Sequence, residues 1–439
     1  MAQGAFYTGL SGLRAHSAAI NVIGNNLANV NTIGFKSGRA SFGDYFNVSQ
    51  ARIGGNGSTN QVGMGVGMVG VQQLFQQGAL QPTEVETDLA LQGNGFFMLR
   101  DSDGASVYSR AGNFSFNAEG NLVDPSGNRV QGYIDKDSQG NVVSTGSIGD
   151  INVPVGMTAP PKTTSYFQPR FNLDSEAQVD DPATALNEAE AYQFSVGSSI
   201  YDSRGVEHNM TIVFTPEDTD ADGRMDQWSW EARVPRADLD IPINPGDPET
   251  YTLDSGTMTF DGDGQLLTPG ANITLNIPAW SSGASAQTVE WRLYDDQGAP
   301  TAHSYAENSA VESINQDGYG LGRLHSLSIS SDGMVSGVFT NGETLELAQL
   351  AVASFNNPDG LFRRGDNTYM ASVGSGQAAI GTAESGGRGA VVSGALELSN
   401  VDITEQFTSL IVAERGYQTN SRVITTADEV LQETLAIKR

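Results

Sequence analysis

Two stretches at opposite ends of the chain share one pattern, and it constrains the fold more than any other feature. From Ala5 to Val30 apolar side chains recur every seven residues at Phe6, Leu13, Ile20 and Leu27, with Ile23 and Val30 in a second row. From Asp402 to Ile437 the spacing returns at Ile403, Leu410, Tyr417, Ile424 and Leu431; Ala413 and Ala427 hold the second row, and Asn420 interrupts it. Strict sevens separated by polar residues predict long helices with narrow coiled-coil seams. Asp402 and Glu405 near the start of the second helix, and Lys438 and Arg439 at its finish, suit the helix dipole. At 1.5 Å per residue that helix would be roughly 55 Å long. Two readings follow. The helices pair with each other inside one domain, or other helices also cover the second rows and the small faces at Gly9, Gly12, Ala15, Ala18 and Ala19. In the second case the ends order on assembly.

Charge and composition exclude several partners. The formal net charge of -28 argues against nucleic acid, whose binding draws on Lys and Arg, and against an anionic membrane surface. The acidity is uneven: between Met1 and Thr83 the only acid is Asp44, so the negative field belongs to the middle of the chain. There is no cysteine, which closes the disulfide, thiolate and Cys-zinc readings. No apolar run reaches 18 residues, so no membrane insertion is expected. No charged region followed by a continuous apolar run opens the chain, so export would use a route without a cleaved leader.

Between the ends the chain reads as β, giving an α+β, mainly β fold. Residues 37–83 look like an irregular connector rich in Gly, Ser, Asn and Gln, with Gly54-Gly55-Asn56-Gly57-Ser58 as a loop. Leu89 to Leu99 predicts two short strands around a Gly-Asn-Gly turn, and Val107 to Tyr133 a meander with turns at Glu119-Gly120-Asn121 and Pro125–Asn128. Strands are also expected at His208–Phe214, Gln227–Val234, His325–Ile329, Val335–Phe339 and Leu347–Phe355, with a turn at Asp261–Gly264. The expected organisation is nested. Residues 1–36 and 396–439 form a helical polymerisation domain, 84–150 and 319–395 a discontinuous antiparallel β domain, and 151–318 an inserted outer β domain. Nesting brings the two terminal helices together in space.

Asn26-Leu27-Ala28-Asn29-Val30-Asn31-Thr32-Ile33-Gly34-Phe35-Lys36 resembles the N-terminal signature of the flagellar rod, hook and hook-associated proteins. Ser393-Gly394-Ala395-Leu396-Glu397-Leu398-Ser399-Asn400-Val401-Asp402 is similar to that family's C-terminal signature, and Glu414-Arg415-Gly416-Tyr417-Gln418-Thr419-Asn420 continues it, with Glu414 where the family usually has Gln. The middle resembles the insert of hook proteins: Asn172–Ser175, Tyr201-Asp202-Ser203-Arg204-Gly205 leading to His208, Gly256–Asp261 and Gln316–Gly320. The resemblance marks Asn26, Ala28, Asn29, Thr32, Gly34, Phe35, Lys36, Leu396, Ser399, Asn400 and Val401 as signature positions. It implies a structural subunit, not an enzyme, that self-assembles into a curved hollow helical tube, a universal joint passing torque from rod to filament for motility. Its partners would be itself, the distal rod, the hook cap, the hook–filament junction proteins and the flagellar export apparatus. Its location would be the extracellular flagellum. On this reading the heptad residues Phe6, Leu13, Ile20, Leu27, Val30, Ile403, Leu410, Tyr417, Ile424 and Leu431 form the subunit interface.

Sharper chemistry finds little. Gly65-x-Gly67-x-x-Gly70 spells a dinucleotide fingerprint but lacks its βαβ setting, so no cofactor is expected. Asp218, Asp220, Asp222 and Asp226 resemble part of a calcium loop whose twelfth position, Ser229, lacks the bidentate carboxylate. The four histidines have no metal spacing. Trp228 and Trp230 share one face of a strand, which favours core packing over a sugar platform. The competing reading is a secreted acidic β-rich adhesin or calcium-binding module, with the helices as an oligomerisation stalk. A nearer one is a distal rod or hook-junction protein, which the hook-like insert disfavours.

Overall fold

The structure is a computed structural model that describes residues 2–44, 48–50, 60–63, 65–138, 140–177, 193–217, 227–295 and 297–437. Along the chain one long helix precedes and another follows many short strands. The chain divides into two compact units, one of Met1–Met157, Ser326–Val338 and Thr344–Arg439, the other of Thr158–His325 and Phe339–Glu343.

In the first unit α1 (Ala2–Ala28) and α2 (Ile403–Ile437) pair antiparallel. Gly9 faces Ile424, Gly12 faces Asn420, and Gly416 faces His16. Asp402 caps α2 by accepting the N–H of Thr404 at 2.7 Å and of Glu405 at 3.1 Å. The face of α2 turned to α1 is the row Ala413, Asn420 and Ala427, in which both alanines are buried. Backbones that approach closely favour small residues, which is why the second row became the seam. A Cβ on Gly12 would lie 2.5 Å from the Asn420 amide oxygen, so the glycine makes room for the one polar residue in the row.

Residues 37–83, expected to be irregular, hold an antiparallel ribbon of Gly38–Asp44 against Val66–Gln73 with a bulge between Ser41 and Phe42. Ribbon and α1 touch where the Val66 N–H donates to Ser11 Oγ at 3.2 Å. The Gly65–Gly70 fingerprint therefore leads into a strand, and its glycines hid the strand because they carry no alternating side chains to read. The Gly54–Ser58 loop lies outside the described residues.

Leu89–Gln92 and Phe96–Arg100 form the two expected strands but do not pair with each other. The first pairs with Ala390–Ser393, the second with Ser106–Ser109, Arg129–Tyr133 and Val352–Ser354. Gly93 (φ 113°) and Gly95 (φ 130°) turn the chain between two sheets through a region closed to other residues. Leu89, Leu91, Phe97, Leu99, Leu350 and Val352 meet in the core below.

One turn recurs through both units. Asp101, Asn117, Asp124, Asp202, Asp261 and Asp295 each accept backbone N–H bonds from the residues two and four places on. The third residue on is always a glycine of positive φ, between 74° and 87°. Asx side chains stand in for backbone and Gly supplies the left-handed step. Part of the chain's acidity is thus turn chemistry.

The second unit holds two five-stranded sheets. One runs Phe194–Tyr201, Glu207–Glu217, Gln227–Pro235, Thr250–Phe260 and Leu266–Thr268, all antiparallel. In the other, Tyr166–Asp174 lies parallel to Gln287–Trp291 and to Ala302–Tyr305, and antiparallel to Ala310–Gln316. Strict alternation buries every second residue of Glu207–Glu217 and Gln227–Pro235. Trp228 and Trp230 are both core, and Trp230 meets Trp291 edge-on at 5.1 Å. His208 is buried, stacked on Trp280 at 3.7 Å, with Nε2 3.3 Å from Asp202 Oδ2. Ser282 donates to that same oxygen at 2.5 Å.

Candidate assembly site

The two signature segments meet where the helices leave the β structure. Lys36, an amphipathic residue in an apolar setting, needs an anion. It finds Glu397: Nζ donates to Oε1 at 2.5 Å and to the Gln76 carbonyl at 2.7 Å, with both side chains fully buried. Arg110, also buried, approaches Glu397 Oε2 at 3.5 Å and donates to the Gly93 carbonyl at 2.7 Å. Glu397 Oε1 accepts the Gly78 N–H as well, at 2.9 Å. Burial pulls the Lys36 ammonium and the Arg110 guanidinium below their ordinary values, and Glu397 opposes this in both. Burial raises the nearby Tyr369 phenol.

The asparagines tie the segments together by reading backbone. Asn26 is buried and bonds Gly38 both ways, donating to its carbonyl and accepting its N–H at 2.8 Å each, and donates to Gln406 of α2 at 3.0 Å. Asn400 accepts the Ser37 N–H at 2.8 Å and donates to the Leu74 carbonyl at 2.7 Å. Asn29 bonds back to Asn25 and accepts from Thr32, closing the end of α1. Gly34 has φ 67°, its N–H donates to the Glu397 carbonyl at 2.7 Å, and a Cβ there would lie 2.6 Å from the Ala111 nitrogen. Phe35 and Val401 are buried, Leu396 and Ser399 half-buried, and Ala28 is exposed. The signature positions thus form a lock on the root of the helix pair.

The heptad residues lie along the helices above it. Leu13, Ile20, Leu27, Val30, Leu410, Ile424 and Leu431 are half-buried, while Phe6, Ile403 and Tyr417 are exposed. Phe407, Ile411, Val412, Val423 and Val430 are exposed too, each by 41% or more. Heptad counting missed these, along with Arg110, Gln406 and the charge role of Glu397. A buried Lys36 demanding a carboxylate was the available signal for Glu397. Asp218, Asp220, Asp222 and Asp226 lie outside the described residues. Among the described residues no helix is long and apolar enough to cross a membrane.

Two terminal signatures meeting under one helix pair are the arrangement that the resemblance to flagellar axial structural proteins implies. Family models agree along the chain. The model for the flagella basal body rod protein matches residues 6–36, that for the FlgE/F/G D1 domain of the flagellar hook protein 90–160, that for the FlaE D2 domain of the flagellar basal body protein 172–319, and that for the FlgEFG C-terminal region of the basal body rod protein 392–437. The flagellar hook protein FlgE of Borreliella burgdorferi is 34% identical, covering 98% of this chain and 99% of its own. Those of Treponema pallidum and Salmonella typhimurium are each 33% identical, over 99% and 97% of this chain and 99% and 98% of their own. The chain belongs to the flagellar hook protein FlgE family.

Proposed function

We propose that this chain is the structural subunit of a flagellar hook, assembling with copies of itself into a hollow helical tube, with no catalytic role. One observation carries the reading: the helix pair closes its own seam with small residues and leaves large apolar residues facing out. At about 100° per residue, Val412, Val423 and Val430 fall within about 20° of one line along α2. Ile403, Phe407 and Ile411 lie about 180°, 140° and 100° round the helix from Val412, a second apolar stripe on its outer side. Two unlike apolar flanks suit a heterologous contact, which grows a helix when its rotation does not close. The heptad residues Phe6, Leu13, Ile20, Leu27, Val30, Ile403, Leu410, Tyr417, Ile424 and Leu431 contribute to the same packed inner layer. We further assign the neighbours a hook meets at its two ends, the distal rod below and the cap and junction proteins above, and export without a cleaved leader by the flagellar apparatus.

Sedimentation of assembled chain tests the flanks. Phe407→Asp and Val430→Asp should stay soluble with unchanged helical circular dichroism, since both residues are exposed in the single chain. Leu410→Asp and Ile424→Asp should fail to assemble as well. Tubes formed at wild-type concentration by the first two variants would remove those flanks from the interface.

A further inference from the structure

Beside the root of the helix pair, between it and the ribbon, runs a groove of about 450 Å³. Val22, Ile23, Phe42, Leu74 and Val412 give it apolar walls. None of these is fully buried, and Phe42 and Val412 are 42% and 64% exposed. Asp402 and Glu405 stand exposed on its rim. Near the far end of α1, Phe6 and Tyr7 are exposed by 38% and 59% and meet edge-on at 6.2 Å, and among the described residues neither belongs to a buried core cluster.

We infer that the aromatic end of α1 in one copy docks in this groove of the next copy, an inference that rests on the assembly reading above. Three observations select the occupant. The groove falls within the usual size of a site that takes a compact apolar group, and Phe6 and Tyr7 are aromatic anchors of the kind that fill such sites. The charges do not oppose docking: Ala2 to Leu13 carries no acid, so nothing on the knob repels Asp402 and Glu405 on the rim, where Arg39 also stands. Knob and groove also lie at different heights of one helix pair, so each copy offers one and receives the other, as an open head-to-tail polymer requires. Tyr7 precedes the α1 wall of the groove, His16 to Ile23, by 9 to 16 residues. With 1.5 Å rise per residue, successive copies would be offset along the helix axis by roughly 20 Å.

The chain has no cysteine, which makes the test clean. Tyr7→Cys chain is mixed with Phe42→Cys or Val412→Cys chain, assembled, and mildly oxidised. The docking predicts disulfide-linked heterodimers in the sedimented tubes, absent from unassembled mixtures and from Tyr7→Cys paired with Val155→Cys, an exposed site of the same unit that does not line the groove. The untagged Phe6→Ala/Tyr7→Ala chain should need about tenfold higher concentration to assemble, with unchanged circular dichroism. Tubes that assemble from the mixed cysteine chains yet give no heterodimer above the Val155 control would overturn the docking. Failure of the wild-type chain to assemble at all would overturn the assembly reading, and the docking with it.

Discussion

Glu397 is the only carboxylate within 4 Å of either Lys36 or Arg110 among the described residues, so Glu397→Gln leaves two buried cations without an anion at nearly constant volume. Removing one partner from a buried ion pair costs about 3–5 kcal/mol. For a unit of this size each kcal/mol moves the melting midpoint by roughly 2–4 °C, so the expected fall is about 10 °C. The chain supplies its own assay. All four tryptophans (Trp228, Trp230, Trp280 and Trp291) sit in the second unit, while both helices sit in the first. Glu397→Gln should lower the transition seen by circular dichroism at helix wavelengths and leave the tryptophan-fluorescence transition in place. Adding Lys36→Met should recover part of the loss, because it removes one orphaned charge. A helix transition within 2 °C of wild type, on the scale just given, would refute the claim that this carboxylate holds the root of the helices.

Gly34→Ala forces a side chain into a left-handed backbone and against Ala111, and should destabilise the first unit by about 1–3 kcal/mol, read by the same helix-wavelength melt; an unchanged midpoint would show that the turn can reshape freely. In the second unit, burial pushes Asp202 up, but hydrogen bonds from Ser282, the Val206 and Arg204 N–H groups and His208 outweigh it and hold the carboxyl below its ordinary 3.8. Asp317 is held low in the same way by Ser165, the Tyr166 N–H and Lys162. A depressed carboxylate stabilises fully above its ordinary value and loses that contribution as pH falls below it. The tryptophan midpoint should therefore drop between about pH 5 and about pH 2. Asp202→Asn should flatten that slope, and an unaltered slope would move the acid sensitivity elsewhere.

What the sequence made legible follows from how local each signal is. The helix ends were readable from heptads and from Asp402, and the turns at Glu119–Asn121, Pro125–Asn128 and Asp261–Gly264 from their Gly, Pro, Asn and Asp residues. Pairing partners were not. Leu89–Gln92 joins Ala390–Ser393 across most of the chain, and Lys36 meets Glu397 361 residues away. No local rule joins such distant residues; the nested organisation put both stretches of each pair in one domain but left the pairing residues open. The ribbon at Gly38–Asp44 and Val66–Gln73 was missed because its glycines blur alternation. Within the single chain Gly12, Ala15, Ala413 and Ala427 mark where the two helices close on each other, and the heptad rows of large residues lie beside that seam, half-buried or exposed.

Electron microscopy of the full-length chain, concentrated in ammonium sulfate to strengthen apolar burial, beside a chain ending at Asp402, tests the central claim most directly. The full chain should give hollow tubes, with the helix pair lining the lumen, and the shortened chain only dispersed particles. Tubes of equal length and number from both would place the assembly force in the β units and contradict it.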